Sequence, residues 1–227
     1  MYSKLSFQKY MLFCFVIALT SCRKYSNETD IEQIYQYYIL SYNANSNETT
    51  IYAYFSEKKV NGKSLILDEA SSLIVNNKVM SKNAKHYTAV FSGWIDSAQI
   101  IFHDSRGQDF VNTLYNAKYI ANDNTNLFSK SLNSSWYFGG PIIGAGELVE
   151  LDLEMKGNSS LNSNIKSSQV GNNYIYVPSQ SLNKLTTGIA LCQTKRSIEN
   201  YNGSWTQSGG MTKSIYLSEM NEVNIVD

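Results

Sequence analysis

Glu147-Leu148-Val149-Glu150-Leu151-Asp152-Leu153-Glu154-Met155 alternates without a break. Val149, Leu151, Leu153 and Met155 fall on one side of an extended chain, and Glu150, Asp152 and Glu154 on the other. Successive side chains of a strand point to opposite faces, so a period of two predicts a strand with one buried and one wet face. The same period recurs upstream. In Thr50-Ile51-Tyr52-Ala53-Tyr54-Phe55, Ile51, Ala53 and Phe55 share one face while Tyr52 and Tyr54 share the other. His86 to Phe91 places Tyr87, Ala89 and Phe91 together.

Turn chemistry separates these runs. Asn61-Gly62 tolerates the positive φ of a tight turn, Asn76-Asn77 makes another turn, and Asp104-Ser105-Arg106-Gly107 joins the runs 99–102 and 109–111 as a hairpin. About seven strands fit between Tyr35 and Val111. The segment 116–126 has no apolar period and marks a domain boundary; the pattern then restarts with 147–155, 174–177, 188–192, 214–217 and 223–226. Asn158 to Ser168 reads as a polar loop, and Ser179 to Leu185 as a single helical turn. No amphipathic helix of three turns is present between strands spaced 8–12 residues apart. The expected fold is therefore all-β: two tandem immunoglobulin- or fibronectin-like antiparallel β-sandwiches, at residues 32–121 and 127–227. One continuous sandwich is the alternative.

The first residues follow a different rule. Lys4 and Lys9 precede the apolar run Met11 to Leu19, which is too short to span a bilayer and of the length of a signal-peptide core. The run ends in Leu19-Thr20-Ser21-Cys22, which resembles the lipobox of bacterial lipoproteins. The resemblance implies cleavage of residues 1–21 between Ser21 and Cys22, lipidation of the Cys22 thiol, and a polar tether over 22–31. An ordinary secretory peptide or an N-terminal hydrophobic helix is the alternative reading. Two or three acyl chains make a lasting anchor without a spanning segment, at ~0.8 kcal/mol per buried CH₂.

The composition narrows the function classes. Of three cysteines, Cys14 leaves with the leader and Cys22 is taken by lipid, so Cys192 stands alone in an apolar run. No disulfide and no cysteine-based metal site is expected. Cleavage removes Lys4 and Lys9, leaving 17 of the 19 basic residues against all 19 acidic ones. Scattered, balanced charge excludes the clustered Lys/Arg footprint of a nucleic-acid binder.

Few residues offer chemistry. His86 and His103 are the two histidines, and His103-Asp104 invites a hydrolase reading. However, strand neighbours point to opposite faces and no Gly-x-Ser-x-Gly elbow exists, so no catalytic residue is assigned. Two histidines also fall short of a zinc ligand set. Gly139-Gly140 and Gly144-Ala145-Gly146 precede a strand rather than a helix, which argues for turns and against phosphate binding. Asn122, Asp123, Asn124 and Asn126 are oxygen-rich but fail the EF-hand pattern, with Leu127 where it needs glycine and Asn133 where it needs an acid. No cofactor is expected.

Aromatic residues are the strongest remaining signal: seventeen tyrosines and three tryptophans. If exposed, Tyr52 and Tyr54, with Trp136 or Trp205, form a platform for a sugar ring or a protein anchor; if buried, they fill sandwich cores.

The lipobox, the tether and two Asn/Tyr/Ser-rich β-units together resemble the uncharacterised lipoproteins common in Bacteroidota-type genomes. Phe91-Ser92-Gly93-Trp94, then Ile100 to Asp104 with Gly107 and Phe110, is similar to the closing strands of their immunoglobulin-like N-terminal domain. The resemblance implies an envelope lipoprotein at the outer membrane, facing the periplasm or the surface. Its expected role is that of a non-enzymatic binding or structural module, with a glycan or an envelope protein as partner, carbohydrate binding as the runner-up and an envelope hydrolase third.

Overall fold

The computed structural model describes residues 24–25, 29–122 and 127–227. Ser21 and Cys22, the leader, most of the tether, and Asp123, Asn124 and Asn126 lie outside them. The described chain is almost entirely β, in packed, mostly antiparallel sheets. Among the described residues no helix is long and apolar enough to cross a membrane.

The first half contributes β1 (Lys24–Tyr25), β2 (Ile34–Asn43), β3 (Glu48–Glu57), β4 (Ser64–Ile66) and β5 (Ser72–Val75). It continues with β6 (Lys78–Val79), β7 (Ser81–Lys82), β8 (Tyr87–Ser92), β9 (Ser97–His103) and β10 (Asp109–Tyr115). The second half contributes β11 (Ala121–Asn122), β12 (Leu127–Ser129), β13 (Ser134–Gly139), β14 (Glu147–Met155) and β15 (Asn158–Ser167). Then come β16 (Tyr174–Val177), β17 (Gly188–Asn200), β18 (Gly210–Leu217) and β19 (Asn221–Val226).

One large sheet runs β1-β4-β3-β2-β18-β17-β14-β15 and carries β8 beside β3 and β19 beside β17. Smaller sheets, β10-β9-β5-β6 and β11-β13-β16, complete the set. Two apolar clusters result. The first gathers Ile34, Tyr38, Leu40, Ile51, Phe55, Ile100, Phe102 and Phe110, with the Phe55 and Phe102 ring centroids 5.1 Å apart. The second gathers Trp136, Phe138, Val149, Leu151, Leu153, Ile175, Val177 and Cys192.

The first cluster draws on residues 31–114, with Trp205 packed against it, and the second begins at Ile120, within the 116–126 segment; hydrogen bonding runs through both. β18 pairs antiparallel with β17 and, on its other edge, parallel with β2, from Gly210 beside Gln36 to Leu217 beside Asn43. That parallel bridge departs from the purely antiparallel pattern expected. A second departure is Asn158–Ser167, expected as a loop. It is β15, hairpinned onto β14 as the edge of the large sheet. Its side chains are mostly exposed, with Ile165 buried, so it carries no continuous apolar face to read.

Between β17 and β18, residues 201–209 strap across the first core. Ser204 N–H donates to Asn112 Oδ1 at 2.8 Å, and Asn112 Nδ2 donates back to the Ser204 carbonyl at 2.9 Å. Ser208 N–H donates to the Glu32 carbonyl at 3.0 Å. Glycine is required by close approach here: a methyl group at Gly203 would sit 2.5 Å from Trp205 Cζ2, and one at Gly210 would sit 2.4 Å from its Cε3.

Candidate functional site

The alternation of β2 and β3 sorts their tyrosines. Ile34, Gln36, Tyr38 and Leu40 turn into the first core, which leaves Tyr35, Tyr37 and Ile39 on the outer face. On β3, Ile51, Ala53 and Phe55 turn inward and Tyr52 and Tyr54 outward. Register then does the assembly: Tyr37 lies opposite Tyr54, and Ile39 opposite Tyr52. The Tyr37 and Tyr54 rings stack at 5.7 Å and 29°, and Tyr54 and Tyr52 at 6.4 Å and 25°. His86 closes the row, 5.3 Å from Tyr54 and 5.6 Å from Tyr52. The structure thus brings Tyr52 and Tyr54 together, half-buried, on one face.

This face is nearly neutral. Lys213, opposite Ile39 on β18, is paired with Glu199 at 2.9 Å, and Tyr201 donates to the same carboxylate at 3.3 Å. Partial burial, with the Glu199 charge second, pushes the Tyr37 phenol up to about 12. Burial, then Tyr201 and Glu199, also raises Tyr35, and burial with Tyr52 raises Tyr54. Protonated phenols on a packed aromatic row offer apolar ring surface with hydroxyl donors at its rim, suited to stacking and hydrogen bonding.

The tryptophans behave differently from the expectation. Trp136 is 0% exposed in the second core, 5.5 Å from Phe128, and its indole N–H donates to Thr194 Oγ1 at 3.2 Å. No ligand can reach it. Trp205 is half-buried, 5.9 Å from Tyr38 and wedged between Gly203 and Gly210, and its N–H donates to the Tyr201 carbonyl at 3.0 Å. Its ring faces are occupied, so it locks the strap and is no platform.

The polar candidates disperse. His103 Nδ1 lies 2.5 Å from Asp109, its cross-strand partner. Asp104 is buried and accepts from the Arg106 and Gln108 N–H groups, both at 2.8 Å, as the organiser of its turn. His86 belongs to the aromatic row. Among the described residues no group of three or more His, Cys, Asp or Glu side chains converges as a metal site. Cys192 is buried in the second core, and burial pushes its thiol up to about 12.

A second aromatic cluster escaped the sequence reading. Tyr42, Trp94 and Tyr216 pack together, with centroids 5.2 Å (Tyr42–Trp94), 5.3 Å (Tyr42–Tyr216) and 5.6 Å (Trp94–Tyr216) apart. They come from β2, the loop after β8, and β18: antiparallel pairing of β2, β3 and β8 sets Trp94 near Tyr42, and the parallel bridge adds Tyr216. The one local signal was Trp94 following an alternating strand. Beside this cluster opens a cavity of about 700 Å³, lined by Tyr42, Asn47, Asn122, Tyr216, Glu219 and Asn221, among others. Asn122, set aside above with the linker, is a structural hub: its Oδ1 accepts from Thr194 Oγ1 at 2.6 Å and Ser218 Oγ at 3.0 Å, and its Nδ2 donates to the Glu219 carbonyl at 2.7 Å.

In comparisons with known proteins, no protein-family model matches the chain, and no curated protein matches its sequence.

Proposed function

We propose that the chain is a non-enzymatic binding lipoprotein of the bacterial cell envelope, held to a membrane by lipid on Cys22 and working through its tyrosine face. The observation that carries the reading is the stacked row Tyr37–Tyr54–Tyr52–His86 on the outer side of a sheet whose inner side is already filled by core. A soluble protein gains little by paving a solvent face with aromatic rings, whereas a binding surface gains large contact area at low conformational cost. The lipobox reading supports the anchor, and the short polar tether supports a body held close to the membrane.

The test is made in cells. Radiolabelled palmitate is expected on the wild-type chain and absent from Cys22→Ser, which shifts to the soluble fraction. A photo-crosslinking amino acid at position 54 is expected to give a discrete adduct that the same probe at Val111, exposed on β10, does not. A chain that never takes up lipid, or crosslinking no stronger from 54 than from 111, overturns the proposal.

A further inference from the structure

The cavity beside Tyr42, Trp94 and Tyr216 has the size and lining of a small-ligand site. Its volume, about 700 Å³, falls within the ~300–1,000 Å³ typical of ligand pockets. One wall is aromatic: Tyr42 and Tyr216 line it and Trp94 backs both. The wall is fixed in place. Tyr42 donates to Asn47 Oδ1 at 3.0 Å, and the Trp94 indole N–H donates to Asp96 at 2.7 Å.

The floor is also ordered before any ligand arrives. Besides the three bonds to Asn122, Asn45 Nδ2 donates to the Ser218 carbonyl at 3.3 Å, and Asn45 Oδ1 accepts from the Met220 N–H at 2.7 Å. The rim, by contrast, keeps capacity in hand. Among the described residues, the Asn47 amide nitrogen, the Asn221 side chain and the Glu219 carboxylate make no hydrogen bond or ion pair. Glu219 and Asn221 are exposed. The Glu219 charge stands near the aromatic wall, since it contributes, after burial and Tyr42, to raising the Tyr216 phenol.

These groups select a ligand class. Among the described residues no Lys, Arg or His lines the cavity and the one charged side chain there is Glu219, so phosphates and acidic sugars meet no counter-charge from them. An organic cation could use the same ring faces and the Glu219 carboxylate, but its ammonium group accepts no hydrogen bond and would leave the Asn47 and Asn221 amide donors unused. A neutral sugar meets every requirement: its C–H face lies on the tyrosine wall while its hydroxyls donate to Glu219 and accept from the Asn47 and Asn221 amides. We infer that this cavity is a binding site for a neutral saccharide, built where β18 docks on β2. It is distinct from the tyrosine face, so the two proposals stand or fall separately.

The test uses the full lipidated chain in detergent, screened on a glycan array and measured by calorimetry with the best neutral glycan. Saturable binding is expected. It should weaken roughly tenfold or more in Glu219→Gln, which removes a charged hydrogen-bond partner, and fall at least as far in Tyr216→Ala. Asn221→Ala, at an exposed position, guards against loss through misfolding, and it too is expected to weaken binding. Val111→Ala, exposed on β10, is expected to leave the affinity unchanged, and Tyr52→Ala/Tyr54→Ala reports whether the tyrosine face binds the glycan instead. Binding that survives Glu219→Gln and Asn221→Ala, binding lost instead in the Tyr52/Tyr54 variant, binding confined to acidic glycans or to a choline probe, or no binding to any neutral glycan overturns the inference.

Discussion

Arg196 Nε lies 3.6 Å from Glu147 Oε2, with the two side chains 0% and 5% exposed. Arg196 also donates to the carbonyls of Pro141 and Tyr119, and Glu147 accepts from the Gly144 N–H at 2.7 Å. Nε itself makes no hydrogen bond, so the carboxylate is its compensation for leaving water. Lys118 Nζ also lies 3.3 Å from Glu147 Oε1, so the guanidinium is the more strongly stranded of the two when its partner is lost; breaking a buried pair costs about 3–5 kcal/mol. Denaturant unfolding of Arg196→Met and Glu147→Gln is expected to show losses of that order. The double variant should lose less than the sum of the two, and strict additivity would show that the ions do not act as a pair.

Cys192 predicts an alkaline weakness. Its proton is held more tightly in the fold, at about 12 against an ordinary 9.0, because burial disfavours the thiolate. Unfolding above pH 9 therefore releases a proton. This contribution to stability is fully present below about 9 and is lost as pH rises toward 12, at no more than ~1.4 kcal/mol per pH unit. Equilibrium unfolding between pH 8 and 11 is expected to fall less steeply in Cys192→Ala. A thiol reagent at pH 8 should label the native chain far more slowly than the unfolded one.

Gly210→Ala tests the strap. The new methyl would lie 2.4 Å from Trp205 Cε3 and 2.7 Å from the Gln36 carbonyl, so ring or strand must move. Overpacking of this kind costs about 1–3 kcal/mol. Tryptophan fluorescence should shift to the red as Trp205 is lifted from Tyr38, and an unchanged melting temperature would contradict the packing described.

Tyr52 and Trp136 are expected to separate surface from core. Trp136→Ala empties a fully buried site and should cost about 3–5 kcal/mol. Tyr52→Ala removes a half-buried partner in a ring stack, worth about 0.5–1.5 kcal/mol beyond its area. Thermal unfolding of the two variants checks the ordering.

The strand inventory was largely legible because half-buried strands write their geometry in alternation. Glu147–Met155 and Tyr174–Val177 read off with their observed limits; Asn76 and Asn77 turn with positive φ, 45° and 64°, whereas Asn61 and Gly62, expected to, do not. β15 was missed since an edge strand with both faces wet shows no period. β17 was read only to Cys192 because beyond it the buried positions are Thr194, Arg196 and Ser197, polar residues that carry no apolar period. For the site, Tyr52 and Tyr54 were visible because they share one strand. The Tyr42–Trp94–Tyr216 cluster was not, as its members meet only through tertiary pairing. Trp136 and Trp205 show the complementary failure: a large aromatic side chain announces importance without saying whether it faces ligand or core.

The parallel seam between β2 and β18 also governs how the molecule can be made. Thr206 Oγ1 donates to the Ile34 carbonyl across 172 residues of chain, and β18 is hydrogen-bonded along β2 just beyond it. During synthesis β2 and β3 emerge early, but the second edge of β2 has no partner until residue 210 and its successors leave the ribosome. Until then the nascent chain carries an open strand edge lined by tyrosine, the kind of template on which neighbouring chains aggregate. Such distant pairing also slows folding, because the ends of a long loop must meet first. An edge left open until the last strands arrive follows from the position of one β-strand in the sheet.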